Sequence, residues 1–329
     1  MSNFIIRRVF LGIFIVFFGA MIVYGVIRSM PSSYVETIAR ERAANPQSMR
    51  TYQEWIDELN KVYHLDVGIV PGYFGWLKNA IRGDFGISFI YNVPVTEKFK
   101  EVIPYSIVLN IITFIVEIVI SIPLGILAAR KQYSGVDYAI TVFALAGLSL
   151  PTFFLATLLK YVFSIKLGWF PLYGITSRFY STMTRPQQIL DMARNMTLPV
   201  VTLMMLSIGG LMRYTRTNML EVLNSDYIRT ARAKGLSEKV VINKHAFRNT
   251  LIPLVSYMST LLPAMFGGSM ITETMYQIPG IGYISFGAMQ QGDIPFAMFY
   301  TTFLILLTQI SLLIADIMYA VVDPRVRVN

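Results

Sequence analysis

The sequence predicts an all-α protein that crosses a membrane six times and carries a small insertion after its first helix. Hydrophobic residues fill 54% of the 329 positions and charged residues only 14%, whereas soluble domains contain about 25% charged residues. Six runs hold at most one charged residue each, and all are close to the roughly 20 residues that a helix needs to cross the bilayer core. These runs are residues 9–27, 102–129, 138–159, 196–212, 251–272 and 294–315.

The residue inventory argues against several classes of enzyme. The chain has no cysteine and only two histidines, His64 and His245, which lie far apart, so neither a thiolate site nor a histidine cluster is expected. It also lacks the GxxxxGK[ST] loop that binds nucleotide phosphates. We therefore expect this chain to have no catalytic residue, no metal site, no bound cofactor and no ATPase site of its own.

The first run begins after Arg7 and Arg8, as a secretory signal peptide would. The sequence that follows it, RSMPSSYVET, lacks the small-x-small pattern of a cleavage site. We therefore predict that residues 1–27 form a short N-terminus and an uncleaved first transmembrane helix.

Lysine and arginine predict the orientation, because short loops rich in these residues stay in the cytoplasm. Fourteen of them fall on the side that holds both termini and loop 213–248, against four in the short loops of the other side. Both termini are thus predicted to be cytoplasmic. Residues 102–322 would form a core of five transmembrane helices, and residues 323–329 a cytoplasmic tail.

Residues 28–101 are predicted to form a small folded cap outside the cytoplasm. The segment is rich in tryptophan and tyrosine, and YQEWIDELNKVYHL has the spacing of an amphipathic helix. Its positive charge does not count against this placement, since long loops translocate with little regard to charge.

Loop 213–248 shows the pattern of two short helices. From Asp226 to Arg248, six basic residues face two acidic ones. Gly235 stands where a helix C′ glycine is expected, and Ser237 is placed to cap a second helix. A single apolar stripe at helical spacing is predicted before the glycine: Leu220, Leu223, Tyr227 and Ala231. Such a corner suits protein docking, and the alternative is a basic loop that fixes topology and touches anionic lipid.

The segment TARAKG, followed by HAFRNTLIPL, resembles the cytoplasmic loop of ABC importer permeases, in particular the peptide/nickel branch. Other segments resemble further signatures of that branch in the expected order: RGDFGIS with Pro94, SIPLGILAAR, LGWFP, IPGIG and VDPRVR. Aligned on Gly235, the family's Glu-Ala-Ala positions fall on Arg229, Thr230 and Ala231, similar to the form typical of the peptide branch. The resemblance covers most of the chain and implies the type I ABC importer permease fold.

What the resemblance implies is a permease subunit that imports di- or oligopeptides across the bacterial plasma membrane. Its expected partners are a second homologous permease, two ATPase subunits that bind ATP and Mg, an extracytoplasmic substrate-binding protein and membrane lipid, but no nucleic acid. The expected ATPase-coupling residues are Asp226, Tyr227, Arg229, Thr230, Ala231, Arg232, Lys234 and Gly235. Nickel chelates and oligosaccharides are alternative substrates, and a proton-coupled secondary transporter is an alternative class.

Seven residues are candidates for the translocation path or its gate: Glu117, Pro123, Pro151, Gly267, Gly268, Pro279 and Gly280. Glu117 is the only ionisable group well inside a run, so it is either a proton site or a structural partner of a neighbour such as Asn110. The prolines interrupt helices where packed segments can rock. The glycine pair indicates either close helix packing or a gate.

Three further charged residues lie at the ends of runs and are expected to be structural. Asp316 and Asp323 stand near the cytoplasmic end of the last run, and Lys160 is expected to extend its long side chain to the outer interface.

Overall fold

The computed structural model describes residues 2–29, 33–44, 50–62 and 66–322, and it is helical almost throughout. Its helices are α1 Ser2–Ser29, α2 Ser33–Ala44, α3 Tyr52–Val62, α4 Ile69–Ile81, α5 Val95–Arg130, α6 Gly135–Ser149, α7 Thr152–Leu159, α8 Arg185–Leu223, α9 Asp226–Ala233, α10 Glu238–Val240, α11 Phe247–Thr260, α12 Leu262–Tyr276, α13 Ile281–Gln290 and α14 Ile294–Val322. Two π-helical segments, Lys160–Lys166 and Val241–Ala246, join α7 to the next loop and α10 to α11. The predicted all-α class is confirmed.

Four helices are long and apolar enough to cross a membrane by themselves: Ile5–Ser29, Val95–Arg130, Arg185–Leu223 and Ile294–Met318. A fifth candidate is the pair Gly135–Ser149 and Thr152–Lys166, which is bent by 105°. The prediction of one helix over 138–159 is therefore wrong. Leu150 is extended, with ψ 132°, because the proline that follows it disfavours the helical conformation.

The predicted run 251–272 is also divided, between α11 and α12. The break falls at Leu261, and Pro263 stands in the first turn of α12, where its missing N–H costs nothing. The count of six crossings therefore stays a prediction that depends on α11 and α12 forming one span together.

The long helices α5 and α8 form the centre of the bundle, and α6 packs against α8 at glycines. A Cβ added at Gly209 would lie 2.5 Å from the carbonyl oxygen of Ala144. The helices approach backbone to backbone there, as membrane helices do at small residues.

Helices α2 and α3 form a small unit with its own apolar core. Val35, Ile38, Ala39 and Leu59 are buried there together with Phe89. Helix α3 confirms the helical pattern predicted from residue 52, while Tyr63 and His64 lie outside the described residues. Helix α4 instead packs on α1, where the Tyr73 hydroxyl donates a hydrogen bond of 2.6 Å to the carbonyl of Phe17.

The segment RGDFGIS lies against the start of α14. Asp293 is fully buried, and its carboxylate accepts hydrogen bonds from the Ser88 hydroxyl, the Ile90 amide and the Phe296 amide. One acidic side chain thus caps α14 and holds the outer segment in place.

An ion pair joins the first and last helices. Arg8 Nε lies 3.2 Å from Asp316 Oδ2, so the start of α1 and the end of α14 are on the same side of the bundle. This confirms the structural role predicted for Asp316, whereas Asp323 and the predicted tail 323–329 lie outside the described residues.

Candidate functional site

The basic loop is a helix–turn–helix corner built on the end of α8. Helix α8 extends to Leu223, well past the predicted end at 212, and α9 starts at Asp226 after a break at Asn224 and Ser225. Gly235 follows α9 with φ +75°, a left-handed conformation that glycine adopts without strain. The predicted helix C′ position of Gly235 is confirmed.

The predicted apolar stripe is wrong at Tyr227, because the break before α9 changes which residues face inwards. The other three residues pack in one cluster as predicted: Leu220, Leu223 and Ala231. Ile228 and Ala231 are 0% and 6% exposed, while Tyr227 is 48% exposed. Ala231 thus belongs to the interior and Tyr227 to the surface. The pattern did not reveal Ile228, although its spacing of three from Ala231 was a usable signal.

The inner face of the corner packs against three other helices. Ile228 and Ala231 contact a cluster that is supplied by α5, α8 and the π-helical segment before α11: Ala129, Met219, Val241, Ile242 and Ala246. Burying one isoleucine side chain contributes about 1.5–3 kcal/mol. The corner is therefore a packed part of the bundle.

An ion pair bridges the corner across the glycine. Arg232 donates to Glu238 from Nε and Nη2 at 3.1 and 2.7 Å. The Arg232 guanidinium, through these hydrogen bonds, holds the pKa of the Glu238 carboxyl below its usual range. Ser237 occupies the predicted N-cap position of α10, but its side chain makes no capping hydrogen bond.

The outer face of the corner is apolar at its centre and basic at its rim. Tyr227, Leu236 and Val240 are 48%, 40% and 38% exposed. The exposed side chains around them are Asp226, Arg229, Thr230, Lys234 and Lys239. An apolar patch with a polar, charged rim is the usual composition of a protein interface.

A second ion pair fixes the neighbouring turn between α5 and α6. Asp137 accepts two hydrogen bonds of 2.7 Å from Arg216 of α8, and it also accepts from the backbone amide of Tyr133. The sequence pattern did not reveal this pair, because its members are 79 positions apart.

Glu117 is 4% exposed inside the bundle. Neither its Oε1 atom nor Nδ2 of Asn110 has a hydrogen-bond partner within the described part of the chain. Asn110, offered as one possible partner of Glu117, is therefore not paired with it: the two are seven positions apart on α5, about 10 Å along the helix axis.

Glu273 is a second buried acid, which the sequence pattern missed. It is 0% exposed in the last turn of α12, one position beyond the predicted end of that run. Its Oε1 atom accepts hydrogen bonds from the hydroxyls of Ser106 and Ser269 at 2.7 and 3.1 Å. Its Oε2 atom accepts from the Tyr283 amide at 3.0 Å. Glu117 is thus not the only ionisable group inside the bundle.

The segment IPGIG places the start of α13 on this carboxylate. The Ile281 amide donates to Ser106 Oγ at 2.8 Å, and a Cβ at Gly280 would lie 2.5 Å from Glu273 Oε2. Only glycine leaves room for the acid, so Gly280, which follows Pro279, has a packing role.

The other gate candidates are not brought together with Glu273. Pro123 lies inside α5 without ending it, and Pro151 stands at the bend before α7. A Cβ at Gly267 would meet no atom of the described residues within 4 Å, so close packing against them is not the reason for glycine there. Gly268 is the next residue of α12.

Lys160 does not reach an interface as predicted. It is 8% exposed, its Nζ donates to the Met275 carbonyl at 2.6 Å and it lies 4.0 Å from the centre of the Tyr173 ring. Its charge meets the carbonyl end of α12, which the helix dipole favours.

Taken together, long apolar helices and a basic corner define a multi-pass helical membrane protein. Residues 121–328 match the family described as binding-protein-dependent transport system inner membrane component. The chain belongs to this family, which confirms the resemblance to ABC importer permeases.

Curated relatives extend the similarity over the whole chain. The oligopeptide transport system permease protein AppB of Bacillus subtilis is 40% identical over 77% of this chain and 79% of its own length. OppB of Salmonella typhimurium, with the same description, is 34% identical over 99% of this chain and 100% of its own. The dipeptide transport system permease protein DppB of Alkalihalophilus pseudofirmus is 32% identical over 99% and 100%.

Proposed function

We propose that the chain is the membrane-spanning permease subunit of an ATP-driven importer of di- or oligopeptides. The observation that carries the proposal is the exposed apolar corner around Tyr227, since the fold attaches it to α5, α8 and α11. The peptide class is supported by the relatives, which are described as oligopeptide and dipeptide permeases.

The proposed assembly contains this chain, a second homologous permease, two cytoplasmic ATPase subunits that bind ATP and Mg, and an extracytoplasmic binding protein. Both termini and loop 213–248 face the cytoplasm in this proposal, and residues 28–101 form the outer cap. The Arg8–Asp316 pair supports the placement of both termini on one side.

The proposed mechanism is alternating access driven from the corner. Closure of the ATPase pair moves α9, and the packing of Ile228 and Ala231 carries that movement into the long helices. The contact must differ between the two states, because a ligand shifts an equilibrium only by its differential affinity. The exposed residues Tyr227, Thr230, Lys234 and Leu236 make the contact, while Ala231 and Arg232 hold the corner together.

The test replaces the centre of the exposed patch without disturbing the interior. Tyr227→Glu places a charge where the ATPase subunit docks, whereas Phe179→Glu makes the same change at a residue that is 70% exposed and lies in a predicted outer loop. We expect ATPase subunits to co-purify with wild type and with Phe179→Glu but to be lost from Tyr227→Glu. Retention of the ATPase subunits by Tyr227→Glu would contradict docking at this corner.

A proton-coupled secondary transporter is the second candidate, because Glu117 Oε1 is buried and has no hydrogen-bond partner in the described part of the chain. Uptake of a labelled dipeptide after ATP depletion separates the two. Uptake that stops supports the ATP-driven importer, and uptake that continues but is abolished in Glu117→Gln supports proton coupling. Competition of that uptake by tri- to pentapeptides, nickel chelates or oligosaccharides then identifies the substrate class.

A further inference from the structure

A narrow groove in the membrane-spanning surface has no part in the transport proposal. It lies between α1, α4 and α14 and has a volume of ≈ 520 Å³, within the about 300–1,000 Å³ range of small-molecule sites. Its walls are Arg8 to Ala20 of α1, Tyr73 to Ile81 of α4 and Thr302 to Leu313 of α14. Most of the lining side chains are aliphatic or aromatic.

The dimensions of the groove suit a hydrocarbon chain better than a protein helix. From Arg8 to Ala20, α1 rises about 18 Å, slightly more than one leaflet of the roughly 30 Å core. Spread over that length, and with the radius of a water molecule added on each side, the volume gives an average width of about 9 Å, which is below the about 10–12 Å diameter of a helix with its side chains.

The walls of the groove are held firmly by contacts within this chain. Besides the Tyr73–Phe17 hydrogen bond, the rings of Tyr73 and Trp76 stack with centroids 6.0 Å apart. Helices α1 and α14 approach closely at Gly19, where an added Cβ would lie 3.2 Å from Ile305. They are farther apart at Gly12, where the nearest atom would be at 3.7 Å. Both of these glycines of α1 thus lie against side chains of α14, and the contact is tighter at Gly19.

The end of the groove at Arg8 is positively charged. Arg8 lines it and pairs with Asp316, while the adjacent Arg7 is exposed. Among the described residues at this end, two guanidinium groups stand with one carboxylate, and each basic residue near an anionic membrane surface contributes about 1 kcal/mol. The outer surface of α1 is apolar and exposed, as at Phe10 and Ile13, so the groove opens to the bilayer.

We propose that this groove binds an acyl chain of an anionic phospholipid, whose phosphate contacts Arg7 and Arg8. The lipid comes from the leaflet on the side of the Arg8–Asp316 pair, and its chain extends along α1 until it lies under α4. The bound lipid holds the first helix against the last one. Lipids of the surrounding bilayer, which exchange freely, do not do this.

The test labels the groove in the complete transporter in lipid nanodiscs. The probe is a phosphatidylglycerol with a diazirine near the end of one acyl chain, and the labelled residues are identified by mass spectrometry. We expect adducts on the groove-facing residues of α1, α4 and α14. Adducts spread evenly around α1, or cross-linking of the groove to a helix of another subunit in place of the probe, would overturn the proposal.

Two matched substitutions on α1 make the test specific. Gly12→Phe fills the groove, whereas Leu11→Phe places the same ring on the neighbouring residue, which is 48% exposed and does not line the groove. We expect Gly12→Phe to lower adduct formation about tenfold, equivalent to about 1.4 kcal/mol of affinity, and Leu11→Phe to leave it unchanged. Equal labelling of both variants would overturn the proposal, and both are checked for correct assembly by co-purification of the partner subunits.

The headgroup preference is tested separately. We expect the same probe with a phosphatidylcholine headgroup to label the groove more weakly, and Arg8→Gln to weaken labelling by phosphatidylglycerol. Asp316→Asn breaks the same ion pair but leaves both arginines, so it retains the labelling. Labelling by phosphatidylcholine as strong as that by phosphatidylglycerol would overturn the anionic preference.

Discussion

Two of the buried acids, Glu273 and Glu117, differ in how their carboxylates are used. Both lie within helices and are almost inaccessible, at 0% and 4% exposure. Glu273 accepts hydrogen bonds from two hydroxyls and a backbone amide, whereas Oε1 of Glu117 has no hydrogen-bond partner among the described residues. A satisfied buried group fixes one arrangement, while an unsatisfied one costs free energy. Glu273 therefore pins α5, α12 and α13 together, a role that the contacts of Glu117 do not show.

The largest effect is expected from Glu273→Ala. The substitution leaves Ser106 and the start of α13 without an acceptor, and each hydrogen bond to a charged group contributes about 1.5–3 kcal/mol. We expect a loss of about 3 kcal/mol or more in the free energy of unfolding, measured by chemical or thermal unfolding of the purified complex. Glu273→Gln retains an acceptor and should lose less. If wild type and Glu273→Ala were equally stable, Glu273 would not stabilise the bundle more than Glu117 does.

Glu117→Leu should behave in the opposite way. Replacing a partly unsatisfied buried group by an apolar one of similar size is nearly neutral or stabilising, so we expect stability to be unchanged or higher by about 1 kcal/mol. Peptide uptake measured in the same variant shows whether the carboxylate is needed for transport. A loss of stability as large as that of Glu273→Ala would mean that Glu117 is a structural pin as well.

A pair of glycine substitutions in the same region sharpens the comparison. Gly280→Ala puts a methyl group against Ser106 and Glu273 and should cost about 1–3 kcal/mol, as overpacking does. Gly267→Ala meets nothing and sits in α12, so we expect it to change stability by less than about 1 kcal/mol, in the stabilising direction. Unfolding midpoints of the two variants, compared side by side, check this difference.

The smallest effect concerns the exposed pair Arg232–Glu238. The pKa of Glu238 is lowered by Arg232, so the pair stabilises the corner above the usual glutamate pKa of about 4.3 and loses this contribution as the pH falls through the folded-state value. Because both side chains are 44% and 50% exposed, we expect no more than about 1 kcal/mol. Hydrogen exchange of the α9 amides is measured from pH 6 to pH 3 in wild type and in Glu238→Gln. The amides of wild type should be better protected than those of the variant near pH 6, and equally protected near pH 3.

The sequence predicted the class of the fold and the corner because both depend on local patterns. Uncharged runs mark apolar helices, and Gly235 after a basic helix marks a turn that only glycine adopts easily. Segment ends were less predictable: α8 extends 11 residues beyond the predicted run, since residues up to Leu223 pack on α9 and α5 rather than on lipid. Hydropathy does not distinguish those two environments.

The buried polar contacts could not be predicted, because they join residues far apart in the sequence. Ser106 and Glu273 are separated by 167 positions, and Asp137 and Arg216 by 79. Glu273 looked like the polar end of a run, and its burial follows only from the way IPGIG folds α13 back onto α12. The sequence likewise did not show which residues of α9 face inwards, since the two-residue break before the helix rotates its apolar face relative to α8.

The ion pair between Arg8 and Asp316 can form only late in the synthesis of the chain. Residue 316 is synthesised about 15–60 s after residue 8 at ordinary elongation rates of 5–20 residues per second. During that interval α1 resides in the membrane without the helix that will hold it. The contact between α1 and α14 is therefore among the last to form, and a chain truncated before α14 leaves its first helix without this anchor.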